Sequence, residues 1–262
     1  MMTGRVLVIA GSDSGGGAGI QADIKSITAL GGFAMTAITA LTAQNTLGVA
    51  AIHDTPPDFV ARQIEVVMSD LGADVVKLGM LHSTAIIDVV ADTLDRFCAG
   101  IPVVVDPVMT AKGGASLLES EDALKRKIVP RARLLTPNLP EAEALTGIGD
   151  DGDALTDALL ALGPQAVLLK GGHRAGPQVV DLLVERGHPA VRFTSKRIDT
   201  PHTHGTGCSL ASAIAVSLAQ GLPLDQAVAR ARAYVLEAIR SAPGFGQGHG
   251  PLNHAHTIRA GV

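Results

Sequence analysis

Short apolar runs rich in Val and Ile alternate along the chain with longer segments in which apolar residues recur every three or four positions. A run that is apolar throughout suits a strand buried on both faces, and the wider spacing suits a helix with one buried stripe. The alternation therefore predicts repeated βαβ units. Strands are predicted at about 5–10, 34–42, 74–81, 102–107, 132–136 and 166–170. Helices are predicted at about 19–30, 57–71, 83–97, 120–128, 139–146, 152–162, 206–220 and 224–242. Right-handed crossovers then make the sheet mostly parallel and doubly wound, in an α/β domain with helices on both faces. Between Val179 and Ser195, two apolar stretches flank Arg186-Gly187-His188-Pro189 and leave no room for a helix, which predicts an antiparallel hairpin at one sheet edge.

Composition refines this picture in a few places. Hydrophobic residues make up 47% of the chain, yet there is no Trp and only one Tyr and five Phe, so the core must be aliphatic and rich in alanine. A net charge of −4 without runs of Lys or Arg argues against a nucleic-acid partner. Cys98 and Cys208 are far apart, give no disulfide framework, and suit a reducing cytoplasm. The apolar stretch from Arg5 to Ala10 is too short to span a membrane and reads as a core strand. Residues 1–262 read as one domain. In the segment 243–262, Gly244, Gly246, Gly248 and Gly250 and the histidines His249, His254 and His256 are irregularly spaced, which predicts a mobile tail rather than a metal site.

The first candidate for chemistry is Gly11-Ser12-Asp13-Ser14-Gly15-Gly16-Gly17-Ala18-Gly19, between the first strand and the first helix. Such a loop lets a ligand approach backbone N–H groups. It lacks the Gly-Lys-Ser/Thr closure of a P-loop. A dinucleotide site would need an acidic residue at the end of the second strand, where the chain has Ala40, Leu41, Thr42, Ala43 and Gln44. Asp23 in the first turn of the helix suits the dipole. Gln44 at a strand end can read a heterocycle through paired donor and acceptor atoms.

Further strand ends carry charge. Asp106 closes the apolar run that starts at Val103, and Glu141 follows Asn138-Leu139-Pro140 at the next strand end. Two carboxylates so placed suit magnesium held through water, with a triphosphate supplying further oxygens. Lys170, in Lys170-Gly171-Gly172-His173, could neutralise phosphate. The strongest signal is Thr203-His204-Gly205-Thr206-Gly207-Cys208-Ser209 running directly into a helix, because amides converging at a helix N-terminus form an anion hole for a transferring phosphoryl group. Cys208 at that terminus is expected to have a depressed pKa and to act as a base or a charge-stabilising thiolate. His202 and His204, with no third ligand, are read as shaping the loop.

Read together, the stretches at 11–26, 39–49, 75–81, 103–109, 134–147, 168–173 and 203–213 closely resemble the hydroxymethylpyrimidine/phosphomethylpyrimidine kinases of the ribokinase-like superfamily. The resemblance implies a sheet with substrate at its carboxyl edge, ATP and Mg2+ as co-substrate and cofactor, two successive phosphorylations in thiamine biosynthesis, and a homodimer. It also implies that Gln44 and Asp23 hydrogen-bond the aminopyrimidine while Gly11 and Met80 enclose its ring. Cys208 would face the reacting hydroxyl, and the amides of Gly205, Thr206, Gly207 and Cys208 would hold the charge of the transferring group. Asp106, Asn138, Glu141 and Lys170 would manage magnesium and phosphate charge. Cys208 stands where many ribokinase-like relatives carry an aspartate base, and Thr42 stands where the resemblance leads one to expect valine. Pyridoxal kinase, a non-catalytic pyrimidine-binding module and a cysteine hydrolase activated at a helix N-terminus are the alternative readings.

Overall fold

The computed structural model describes residues 3–149 and 152–258. Among these, nine strands form one sheet in the order β3-β2-β1-β4-β5-β6-β7-β8-β9. They are β1 (Arg5–Asp13), β2 (Phe33–Asn45), β3 (Gly48–Asp54), β4 (Val75–Leu78), β5 (Val103–Val105), β6 (Leu134–Leu135), β7 (Ala166–Leu169), β8 (Gln178–Glu185) and β9 (Val191–Lys196). The helices are α1 (Gly19–Ala29), α2 (Pro57–Asp70), α3 (Thr84–Phe97), α4 (Glu121–Lys127), α5 (Leu139–Thr146), α6 (Asp153–Ala161), α7 (Thr206–Ala219) and α8 (Leu224–Arg240).

β1 pairs in parallel with both β2 and β4, so the strand order reverses beside it, and a crevice opens at the carboxyl ends of the strands at such a switch point. Side chains of β1 alternate between two cores. Leu7 and Ile9 join the core beneath α2 to α6, whereas Val6, Val8 and Ala10 join the core beneath α1, α7 and α8. α7 is buried nearly all round, with Ala211, Ala213 and Ala215 fully covered. Those small residues let α7 lie close against α1, α8 and the central strands, which fixes its N-terminus at the crevice.

The expected hairpin is present as antiparallel β8 and β9. A second one closes the opposite edge, where β3 pairs antiparallel with β2. It has no clear signature in the sequence because β3 is a half-exposed edge strand with no buried residue and weak alternation.

The mobile tail expected over 243–262 is not what the described part shows; residues 259–262 lie outside it. The His249 amide donates to the Thr46 carbonyl at 2.9 Å and the His204 amide donates to the Gly250 carbonyl at 3.2 Å. His254 Nε2 meets the Ser209 hydroxyl at 2.8 Å. The irregular glycines are points of close approach, since a Cβ on Gly246 or Gly248 would collide with Thr46 and one on Gly250 with His202. None of the described helices is long and apolar enough to cross a membrane.

Candidate active site

A cleft of about 850 Å³ lies over the carboxyl ends of the central strands. The structure brings to it Gly11, Thr42, Gln44, Met80, Asp106, Asn138, Glu141 and Lys170, together with residues 205–208. Gly11 and Met80 form one wall, where a Cβ on Gly11 would stand 3.0 Å from the Met80 sulfur.

The Gly205 turn is built by contact with the first glycine loop. Gly205 has φ +85°, and a Cβ there would be driven into the Gly17 carbonyl oxygen. α7 starts one residue later. The first amides of a helix lack intrahelical partners. Thr206 N reaches the Thr203 carbonyl at 3.4 Å. Gly207 sits over the charged end of the cleft, where a Cβ would be 3.2 Å from Asp106 Oδ2 and 3.4 Å from Lys170 Nζ.

That charged end is a cation between two carboxylates. Lys170 Nζ donates to Asp106 Oδ1 at 2.9 Å and lies 3.7 Å from Glu141 Oε2. Thr136 Oγ1 also reaches Asp106 Oδ1, at 3.4 Å. Asn138 and Glu141 form a reciprocal capping box at the start of α5, with Glu141 Oε2 accepting from the Asn138 amide at 2.8 Å. Burial pushes the Glu141 carboxyl up to about 7, Lys170 opposes this, and Asp106 adds to it. No group of three or more His, Cys, Asp or Glu among the described residues forms a closed metal cage. Two carboxylate side chains lining the cleft, Asp106 and Glu141, fit a hard cation that keeps most of its water, as magnesium does.

Two expectations are corrected here. Asp23 is not at the pocket wall: it is fully buried beneath it, with both oxygens on Lys77 Nζ at 2.9 and 3.0 Å and Oδ1 also accepting from the Ser212 hydroxyl at 2.7 Å. Cys208 does not have a depressed pKa. Its backbone is at the helix terminus, but burial pushes the thiol up to about 12, Asp23 and Asp106 contribute to the rise, and Lys77 and the Gly19 amide only partly offset it.

Two features escaped sequence reasoning. Lys77 is fully buried in β4 and lines the floor of the cleft. Burial alone would pull its ammonium down, but Asp23, with Asp106, holds it above the ordinary lysine value. Its signal was a single cation inside the apolar run Val75-Val76-Lys77-Leu78. His204, read as a loop-shaping residue, also makes side-chain contacts: its Nε2 lies 2.9 Å from Asp13 Oδ2 and 3.5 Å from Gln44 Nε2. Asp13 further accepts from the amides of Gly15, Gly17 and Ala18 at 2.8 to 3.0 Å.

Residues 13–253 match the family model described as phosphomethylpyrimidine kinase. The chain is 46% identical to the hydroxymethylpyrimidine/phosphomethylpyrimidine kinase of Bacillus subtilis, over 95% of this chain and 94% of the relative. It is 52% identical to the thiamine biosynthesis bifunctional protein ThiED of Geobacter sulfurreducens over 96% of this chain, and spans about half (52%) of that longer protein. Among solved structures, the phosphomethylpyrimidine kinase of Clostridium difficile superposes with a TM-score of 0.78 at 41% identity, covering 90% of this chain and 99% of the other. An ADP complex of Bacillus subtilis pyridoxal kinase superposes with a TM-score of 0.87 at 34% identity, covering 97% and 98%.

Proposed function

Since the chain belongs to the phosphomethylpyrimidine kinase family, we propose that it phosphorylates 4-amino-5-hydroxymethyl-2-methylpyrimidine with ATP and then phosphorylates the resulting monophosphate, as a step in thiamine biosynthesis. The observation that carries this reading is the sharing of one cleft by Gln44 and residues 205–208, with Gln44 Nε2 3.5 Å from the ring of His204 beside Gly205. A heterocycle read by Gln44 then presents its hydroxymethyl arm towards the helix terminus. There the amides of α7 can take the charge that spreads over the equatorial oxygens of the transferring group.

In the transfer, the hydroxymethyl oxygen forms a bond to the γ-phosphorus as the bond to ADP breaks, and the hydroxyl proton passes late to an oxygen of the transferred phosphoryl group and on to solvent. Transition states of this kind are loose, so the hydroxyl needs little activation before attack. A neutral Cys208 is compatible with that chemistry as a wall of the anion hole. Lys170 would follow phosphate charge, and Gly207, with no side chain, leaves room beside it. Asp106 and Glu141 would hold magnesium through water, and the ion would supply charge neutralisation on phosphate oxygens. The reading includes a cytoplasmic homodimer.

Pyridoxal kinases share the fold, and pyridoxine also carries a hydroxymethyl group on a nitrogen heterocycle. The test is ATP turnover on the two alcohols side by side. kcat/KM on the aminopyrimidine should exceed that on pyridoxine by about a hundredfold or more. Preference for pyridoxine would replace this proposal with the pyridoxal-kinase reading.

A further inference from the structure

The side chain of Gln44 stands between two partners whose hydrogen supply is fixed by their other contacts. On one side is Thr42, whose hydroxyl lies 3.0 Å from the Ser12 carbonyl and 3.2 Å from Gln44 Oε1. A hydroxyl has one hydrogen, and here it faces two acceptors. On the other side is His204, whose Nε2 lies 3.5 Å from Gln44 Nε2 and 2.9 Å from Asp13 Oδ2. Asp13 accepts three backbone N–H groups, and although its burial would push the carboxyl up, His204 and the amides of Ala18 and Gly15 hold it below the usual range. An ionised carboxylate at that distance requires a hydrogen on Nε2. The Gln44 amino group therefore meets an N–H on one side, and its oxygen competes for a single hydrogen on the other.

Rotating the amide by 180° ends the donor-to-donor contact at His204 and the competition at Thr42, while the single His204 N–H hydrogen stays on Asp13 Oδ2. The Thr42 hydroxyl then donates to the Ser12 carbonyl and accepts from the Gln44 amino group, and the Gln44 oxygen turns towards the N–H of His204. We infer that Thr42 is a specificity-determining residue: with His204 it locks the amide of Gln44 in one sense, oxygen towards His204 and amino group towards Thr42. This rests on the reading of Gln44 as the group that meets the pyrimidine. The locked amide offers the ring one acceptor and one donor in fixed order. That order suits an exocyclic amine beside a ring nitrogen and opposes the 4-oxo pyrimidine alcohol, where a carbonyl beside a ring N–H reverses the pattern. A valine at position 42 has no hydroxyl with which to impose the order.

The test measures binding by calorimetry, without nucleotide, for the 4-amino and 4-oxo alcohols in wild type, Thr42→Val, Thr42→Ser and Gln44→Ala. A site that hydrogen-bonds its ligand discriminates by unpaired polar groups, so wild type should prefer the 4-amino alcohol by about a hundredfold or more. Thr42→Val should reduce that preference by about tenfold, chiefly by admitting the 4-oxo compound, and Thr42→Ser should restore it. The KM ratio in turnover should follow the same order. An unchanged preference in Thr42→Val, with Gln44→Ala weakening the 4-amino alcohol, overturns the role of Thr42 and leaves the kinase reading intact. If Gln44→Ala changes neither ligand, the assignment of Gln44 fails, and the inference about Thr42 fails with it.

Discussion

Gly205 closes against the carbonyl oxygen of Gly17 with no space for a side chain between them. This contact joins the first glycine loop to the start of α7, so these two segments lining the cleft are one packed unit. Gly205 also holds φ +85°, a conformation costly to residues with a Cβ.

Gly205→Ala should therefore lose about 2–4 kcal/mol of stability from strain and overpacking together. Turnover should fall by about a hundredfold, as expected for a misplaced anion hole. Urea denaturation and a coupled ADP assay read the two effects. Full activity in a stable Gly205→Ala variant would show that the contact does not position the turn.

The buried pair of Lys77 and Asp23 leads to a double-variant prediction. Removing one charge strands the other in a fully buried position. Lys77→Met alone should cost about 3–5 kcal/mol, and adding Asp23→Leu should recover most of it. A double variant as unstable as the single one would contradict the pairing.

Cys208 should behave as a neutral thiol. With its pKa raised to about 12, alkylation by iodoacetamide at pH 8 should run at least about tenfold slower than for free cysteine and accelerate only in strong alkali. Tryptic mass mapping separates Cys208 from buried Cys98, itself pushed up to about 11 by burial. Rapid modification at neutral pH would restore the base assignment that a helix terminus suggests.

His254 ties the C-terminal segment to α7, and burial, with Lys25 and His256, lowers its imidazole to about 4. The folded state thus binds fewer protons than the unfolded state between the ordinary value of 6.5 and about 4. Stability is fully present above that window and is lost as pH falls through it, by up to about 3 kcal/mol. His254→Gln should flatten this slope in denaturation measured at several pH values. An identical slope in the variant would remove His254 from the account.

Much of the fold was legible because the apolar runs of β1, β4, β5 and β7 have few other places to go than a sheet buried on both faces. Gln44, Asp106, Glu141, Lys170 and the Gly205 turn were legible because strand ends and helix starts concentrate at one edge. What was missed depends on distant partners. Asp23 looked like a pocket residue because Lys77, 54 positions away, is its partner only in three dimensions. The Cys208 terminus argued for a thiolate, and the burial that opposes it comes from surrounding elements. The glycines of the tail looked like flexibility, although Gly246 and Gly248 owe their identity to Thr46.

Mass analysis of the products formed from the aminopyrimidine alcohol, ATP and magnesium tests the central claim most directly. The monophosphate should appear first and the diphosphate later, one ADP released for each phosphoryl group gained, with both products forming about a hundredfold more slowly in Gly205→Ala. Unchanged alcohol after ATP has been consumed, or no consumption of ATP at all, would contradict that claim.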